Sequence, residues 1–280
     1  MTRKDRFVTT PNRDLPEFSP ADLNRLAQVD QLLVAMDFDG TLAEFSDSPT
    51  DVRAVPGAVE ALQDLAACPG VLVVLISGRH LTQLSDVSGL PILANPGDGD
   101  VRLVGSHGAQ PADQPADGAG RAQLDALKAL GEKAEELAAT DPGLWVEYKP
   151  LSVGLHSRQA EDIEVARKAD EALAEFAETL PTDIQVTWGR DILELSVAIS
   201  TKGSYIAGLL ARLADQGTDI DSVFFGGDDV TDETVMAVLR EQDLGVHVGG
   251  RLTDRTRATR ALESPFAMRD ALVALATARR

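Results

Sequence analysis

The segment LLVAMDFDGTLAEF, residues 32–45, limits more than any other what this chain can become. Its apolar first part shows no polar alternation, so it reads as a strand buried on both faces, which calls for a parallel sheet covered by helices on either side. The run ends abruptly in Asp37 and Asp39, with Phe38 between them. Side chains two apart on a strand share a face, so both carboxylates point together from the strand end while Phe38 points the other way, into the core. Open α/β sheets bind ligands beyond that end. Paired acids there suit three tasks: holding a divalent cation, attacking an electrophile, or dividing acid and base roles. An ordinary acidic turn is the plainer reading of DFDG taken alone. An EF-hand is excluded, because Leu42 stands where that loop needs glycine.

Further along, strands and helices alternate. S-P-A-D from Ser19 caps a first helix, AVPGAVEALQDLAAC spaces its apolar residues helically, and VLVVLIS and VRLVGSH read as strands around a short helix at HLTQLSDVSG. The style changes after Gly108. A Pro/Gly/Asp-rich loop at residues 110–120 leads into the helical RAQLDALKALGEKAEELAA, then LWVEYKP and SVGLHSR as two alternating strands turning at Pro150. A long helix (EDIEVARKADEALAEFAETL) and a hairpin turning at Gly189-Arg190 complete a small α+β module. From Lys202 the alternating style returns, with KGSYIAGLLARL, TDETVMAVLREQ and RDALVALATARR as helices and LGVHVGG as a strand. The expected organisation is an α/β core with a parallel sheet, residues 1–108 and 198–280, carrying an inserted α+β domain at 109–197. Residues 1–18 are expected to form a loose arm, and hinges are expected at 108–120 and 197–201.

A second strand end repeats the design. VFFGGDDVTDE places Asp228, Asp229, Asp232 and Glu233 after an apolar run and two glycines, with one of the last two acids suited to capping the next helix. Acids gathered twice at strand ends are costly unless a cation neutralises them, and oxygen donors without nearby His or Cys suit Mg²⁺. Ser77-Gly78-Arg79 ends another strand with a hydroxyl and N–H groups for phosphate oxygens, and Lys202 opens a helix whose N-terminus adds positive charge. Carboxylates, Mg²⁺, a hydroxyl and a lysine on one rim are equipment for phosphoryl transfer.

Charge and composition exclude other classes. The 280 residues carry a formal net charge of -19, which argues against nucleic acid or an anionic membrane as partner. The lone Cys68 permits no internal disulfide and fits a reducing compartment, and no apolar stretch approaches a membrane span. A cytoplasmic monomer acting on a small molecule is expected.

DFDGT, the strand ending ISGR, the lysine of TKG and GGDDVTDE resemble, in order, the four motifs of the haloacid dehalogenase-like phosphatases. With LVGSHGAQ and VEYKPLSVGLHSR, the chain is similar more narrowly to their trehalose-6-phosphate phosphatase branch. The resemblance implies a Rossmann-like core with a substrate-selecting cap, and an Mg²⁺-dependent hydrolysis of trehalose 6-phosphate in trehalose biosynthesis. It makes Asp37 the nucleophile that forms an aspartyl-phosphate and Asp39 the acid, then base. It places Mg²⁺ on Asp37, the backbone carbonyl of Asp39, and Asp228, with Asp229 and Asp232 supporting that site indirectly or through water. Ser77, Gly78, Arg79 and Lys202 would hold the phosphoryl group. On the cap, Glu147, Lys149, Arg158, Glu194 and His156 would face the sugar; an ordinary solvated sheet face with cross-strand ion pairs is the alternative. Glucosylglycerol phosphate and mannosylglycerate phosphate are the rival substrates. A silent metal-binding or sugar-phosphate-sensing protein is the non-enzymatic rival, disfavoured because pure binding needs no proton donor at Asp39. Trp145 and Trp188 are expected to pack inside the cap, and His107 is as much a loop histidine as a substrate contact. Two departures from the family stand out: ELSVAISTKG where relatives often read ELRP, and Gln110 where an acid is common.

Overall fold

A computed structural model describes residues 15–46, 51–113, 121–149, 151–189, 191–197, 200–249 and 256–280. The chain divides into two compact units, Met1–Asp113 with Thr201–Arg280, and Gln114–Ser200.

In the first unit the chain runs α1 (Pro20–Gln28), β1 (Leu32–Met36), α2 (Ala58–Ala66), β2 (Val71–Ile76), α3 (Leu81–Ser88), β3 (Val101–Gly105) and β4 (Gln110–Pro111). The second unit supplies α4 (Arg121–Ala138), β5 (Trp145–Lys149), β6 (Ser152–His156), α5 (Ile163–Glu178), β7 (Gln185–Gly189) and β8 (Ile192–Ser196). The first unit resumes with α6 (Lys202–Asp215), β9 (Ser222–Gly227), α7 (Glu233–Met236), β10 (Leu244–Val248), β11 (Arg260–Leu262) and α8 (Pro265–Arg279). The mixed sheet of this unit has the order β11-β10-β9-β1-β2-β3-β4, parallel except for β4.

The double burial expected of β1 has a simple basis. Leu32, Val34 and Met36 pack with residues of α1, α2, α3 and α8, while Leu33 and Ala35 pack with residues of α6 and α7. Phe38 joins the first of these clusters and is wholly buried. Ser19 caps α1 through a reciprocal capping box with Asp22.

Several boundaries differ from the sequence reading. Residues 15–18 are docked: Phe18 donates its N–H to the Ala261 carbonyl and stacks on Phe224, with ring centroids 5.6 Å apart. The rest of the expected arm, 1–14, lies outside the described residues. Gln110 and Pro111 pair antiparallel with Gly105 and Val104, so the polar QPAD stretch begins as an edge strand of the core, and the inserted unit starts after Asp113. At its far end Val197 donates to the Leu151 carbonyl, and the core unit resumes at Thr201 and not at 198. The expected hinges fall mostly on 114–120 and 198–199, and the turns at Pro150 and Arg190; these too lie outside the described residues. The helix expected over TDETVMAVLREQ is shorter, a 3-10 turn at Val230–Asp232 followed by α7.

The inserted unit has its own antiparallel sheet, ordered β5-β6-β8-β7. One face buries Val153, Leu155, Leu193 and Leu195 on the side where Tyr148 meets the Gly131 carbonyl of α4. The other carries, in register rows, Trp145, His156 and Ile192; Glu147, Gly154 and Glu194; Lys149, Ser152 and Ser196.

Candidate active site

Asp37 sits one residue beyond β1, and its N–H donates to the Gly226 carbonyl of β9 at 3.0 Å. Its carboxylate is almost fully buried and takes the Lys202 ammonium at 2.6 Å. The same ammonium meets Asp232 at 2.8 Å, so a lysine with 3% of its side chain exposed lies between two carboxylates. Lys202 is the first residue of α6. Thr201 caps that helix in a reciprocal box with Ser204, which fixes where the lysine leaves the backbone. Asp232 is held from its other oxygen by the N–H groups of Asp228 and Asp229, both at 3.0 Å. The chain passes so closely here that a Cβ on Gly227 would collide with the Asp232 carboxylate. Gly40, at φ +77°, likewise leaves room for the Asp228 carboxylate.

Three acids, Asp37, Asp228 and Asp232, bring oxygen atoms within 4.8 Å of one another, with one lysine among them. That balance shapes their protonation. Burial works against the charge on Lys202, yet Asp37 and Asp232 outweigh it and raise its pKa. Burial pushes the Asp37 carboxyl well above its usual range; Lys202 opposes this, and Asp232 and Asp228 add to it. Asp228 is pushed up to about 7, by burial first and then by Asp232 and Asp229. Lys202 stays charged while the surplus acids retain protons or gain a cation. Asp232 takes Lys202 on one oxygen and two backbone N–H groups on the other, whereas the second oxygen of Asp37 has only a long contact, 3.4 Å, from the Thr41 hydroxyl. Asp37 and Asp228 are therefore the carboxylates with capacity for a metal. Hard, oxygen-only donors of this kind fit a divalent cation of the Mg²⁺ type.

Asp39 faces a different partner. Arg79 donates Nε and Nη2 to its two carboxylate oxygens at 2.7 and 2.6 Å. Ser77 is buried, its Oγ accepts the Arg79 N–H at 3.2 Å, and its own N–H donates to the Val104 carbonyl. Asp37, Asp39, Ser77, Gly78, Arg79, His107 and Lys202 border one cavity of about 390 Å³, together with Phe45, Asp228, Asp229 and Thr231. The His107 ring packs so tightly on Gly78 that any side chain there would displace it, and Ser106 and His107 hold left-handed φ angles of 50° and 54°. Sequence reasoning left Phe45 and Thr231 out of this rim; their proximity to the DxDGT and DDVT acids was the available signal.

A trehalose-phosphatase family model matches residues 35–267. The chain belongs to the trehalose-phosphatase family. It is 33% identical over 275 residues to the trehalose-phosphate phosphatase of Mycobacterium leprae, covering 91% of this chain and 60% of that one. The chain thus spans about three fifths of that relative's length. The fold is that of trehalose-6-phosphate phosphatase from Aspergillus fumigatus, with a TM-score of 0.70 at 23% identity over 94% of this chain and 99% of that one. A haloalkanoate dehalogenase superfamily phosphatase from Bacteroides thetaiotaomicron matches with a TM-score of 0.53 at 16% identity, over 86% of this chain and 92% of that one. The core is therefore a haloacid dehalogenase-like fold carrying an inserted α+β unit.

Within that inserted unit, four of the five expected sugar-facing residues come together. Lys149 bonds Glu194 at 2.8 Å and lies 3.8 Å from Glu147, and His156 meets Glu147 at 3.0 Å. The Ser152 hydroxyl, not foreseen, donates to Glu194 at 2.8 Å. Arg158 does not join them. β6 ends at His156, the chain turns with the Ser157 N–H on the Asp191 carbonyl, and Arg158 is 76% exposed with Asp191 at 3.6 Å. The tryptophans are not interior either: Trp145 is 46% and Trp188 59% exposed.

Proposed function

We propose that the chain hydrolyses trehalose 6-phosphate to trehalose and inorganic phosphate, with Mg²⁺ as cofactor. The observation that carries the chemistry is the dry Asp37 carboxylate, ion-paired to Lys202 at the edge of a cavity that also contains Asp39 and Ser77. Membership of the trehalose-phosphatase family supports the substrate.

In this reading an oxygen of Asp37 attacks phosphorus, forming the aspartyl-phosphate as the bond to the sugar oxygen breaks. Asp39 gives that oxygen a proton, then takes one from the water that hydrolyses the intermediate and restores Asp37. Lys202 opposes the burial that favours a protonated Asp37 and offsets its charge against the approaching phosphate anion. The Ser77 hydroxyl, the Gly78 N–H and the Lys202 ammonium orient the phosphoryl oxygens, while Arg79, whose N–H goes to Ser77 Oγ, steadies that turn. Asp37, Asp228 and the backbone carbonyl of Asp39 would hold the cation, which would supply charge neutralisation at phosphorus. Asp229 and Asp232 support it, Asp232 by anchoring Lys202 and the backbone ahead of it. Glu147, Lys149, His156 and Glu194 take the sugar hydroxyls on the inserted unit, with Arg158 at the margin of that face. The protein works in the cytoplasm as a monomer, and no helix of the described residues is long and apolar enough to cross a membrane.

Phosphate release from trehalose 6-phosphate, glucosylglycerol phosphate, mannosylglycerate phosphate and glucose 6-phosphate, with and without EDTA, tests this. Fast, EDTA-sensitive release from trehalose 6-phosphate is expected. Equal rates across the panel would refute the trehalose assignment.

A further inference from the structure

The polar face of the β5-β6-β8-β7 sheet carries a large apolar group that its charge pattern does not require. Trp145 heads the row opposite His156, and the two rings lie flat on each other, with centroids 3.8 Å apart and planes 5° from parallel. His156 is held in turn by Glu147 at 3.0 Å. The indole is thus positioned from one side by a ring that is itself anchored, yet almost half of it stays exposed.

The neighbouring row continues the theme. Gly154 has no side chain, and a Cβ there would lie 3.2 Å from Ile192 Cδ1 and 3.7 Å from Glu147 Cβ. Ile192 therefore leans across the strand between Glu147 and Glu194. Trp145 and Ile192 thus flank His156 in one row, beside two carboxylates and the Lys149 ammonium. Trp188 makes an instructive contrast. It is also exposed, but it stands opposite Leu193 and shares that residue's side of the sheet, away from the acids.

A pyranose ring has the complementary pattern: a flat face of C–H groups and an edge of hydroxyls. Rigid aromatic planes provide contact area at little entropic cost, while ionised groups take hydroxyls. We propose that Trp145 is a specificity-determining residue: its indole, fixed by His156, stacks on the C–H face of a pyranose ring of the substrate while Glu147, Glu194 and Lys149 bind that ring's hydroxyls. This rests on the reading of the inserted unit as the sugar site. In the α-linked glucose rings of trehalose the anomeric oxygen is the one axial substituent, so the opposite face, with its C2 and C4 hydrogens, stays flat for stacking. The axial O2 of a mannosyl ring stands on that same face and lifts it off the indole. Trp145 therefore selects against manno-configured substrates.

The test is steady-state kinetics of Trp145→Ala, Trp145→Phe and Trp188→Phe, beside Glu147→Gln and Glu194→Gln. Trp145→Ala should raise KM for trehalose 6-phosphate about tenfold, in the range typical of a lost apolar pocket contact, with kcat changed far less. It should also narrow the preference over mannosylglycerate phosphate. Trp145→Phe should recover most of the loss, and Trp188→Phe should match the unmodified protein. With Trp188→Phe as background, Trp145 is the only tryptophan of the chain's two, and trehalose should alter its emission. An unchanged KM in Trp145→Ala, or an emission indifferent to trehalose, overturns the stacking role. If Glu147→Gln and Glu194→Gln still raise KM in that case, the sugar site stands without Trp145; if they do not, the sugar-site reading falls with it.

Discussion

Arg79 clasps both carboxylate oxygens of Asp39, at 2.6 and 2.7 Å, from a side chain only 10% exposed. The proposed acid and base is therefore oriented by a planar fork. Removing the fork in Arg79→Ala leaves Asp39 present but unaimed, and misplacement by about 1 Å can cost on the order of 100-fold. We expect kcat to fall about 10- to 100-fold. Arg79→Lys should not restore it, since an ammonium cannot reproduce two parallel bonds. Asp39→Asn should cost more, about 100- to 10,000-fold, because the proton itself is lost. Steady-state kinetics on trehalose 6-phosphate decides; a full-rate Arg79→Ala protein would show that the pair only holds the loop.

Asp37→Asn should abolish turnover and leave the fold intact, because Lys202 keeps Asp232 as partner. Replacing Lys202 with Met is a different perturbation. It strands buried carboxylates whose only near cation among the described residues is gone, a defect of about 3–5 kcal/mol. Denaturant unfolding of both variants separates the two cases. A Lys202→Met protein as stable as the parent would mean that the acids shed their charge at no cost.

The fold was legible where burial on both faces left a local trace, and the site where its residues clustered along the chain. The apolar run of β1 needs no partner to be recognised, and Asp37 with Asp39, like Asp228 with Asp232, lies within a few residues. The Lys202–Asp37 bond spans 165 positions, and without the family resemblance no local pattern assigns it. Face and register were harder. The hydrogen bonds that draw Gln110 and Pro111 onto β3 leave no apolar signature, so a polar stretch passed as loop. Residue type speaks for the burial of tryptophan, but only register puts Trp145 among the acids. Arg158 keeps the two-residue spacing from His156, yet the strand ends between them.

Cation binding should depend on pH through Asp228. Its carboxyl is pushed up to about 7, whereas an unfolded aspartate titrates near 4. A cation must displace the retained proton, so Mg²⁺ affinity should rise with pH up to about 7 and then level off. The metal-free protein has the opposite trend from this group. Between about 4 and 7 its folded state binds the extra proton, so stability declines as pH rises through that window. Calorimetric titration of Mg²⁺ at pH 5.5, 6.5 and 7.5, with thermal melts in EDTA, checks both signs. Affinity that is flat across this range would place the metal elsewhere.

Asp170 offers a test in the inserted unit, away from the proposed chemistry. It lies on α5 next to Ala166, Ala169, Leu173 and Ala177, the helix's buried residues, and its Oδ1 is buried with no hydrogen-bond partner. Burial alone pushes its carboxyl up to about 6. A raised carboxyl pKa favours the folded state while the group is protonated and costs stability as pH rises from about 4 through 6, in full above that. Half the group's surroundings are solvent-like, so the cost is discounted to about 1 kcal/mol. Asp170→Ala removes the charge and introduces a better helix former. Its melting temperature should rise by about 2–4 °C at pH 8 and by less at pH 4.5, with KM and kcat for trehalose 6-phosphate unchanged. Equal shifts at both pH values would assign the gain to helix propensity alone, and a drop at pH 8 would mean that the carboxylate is satisfied after all.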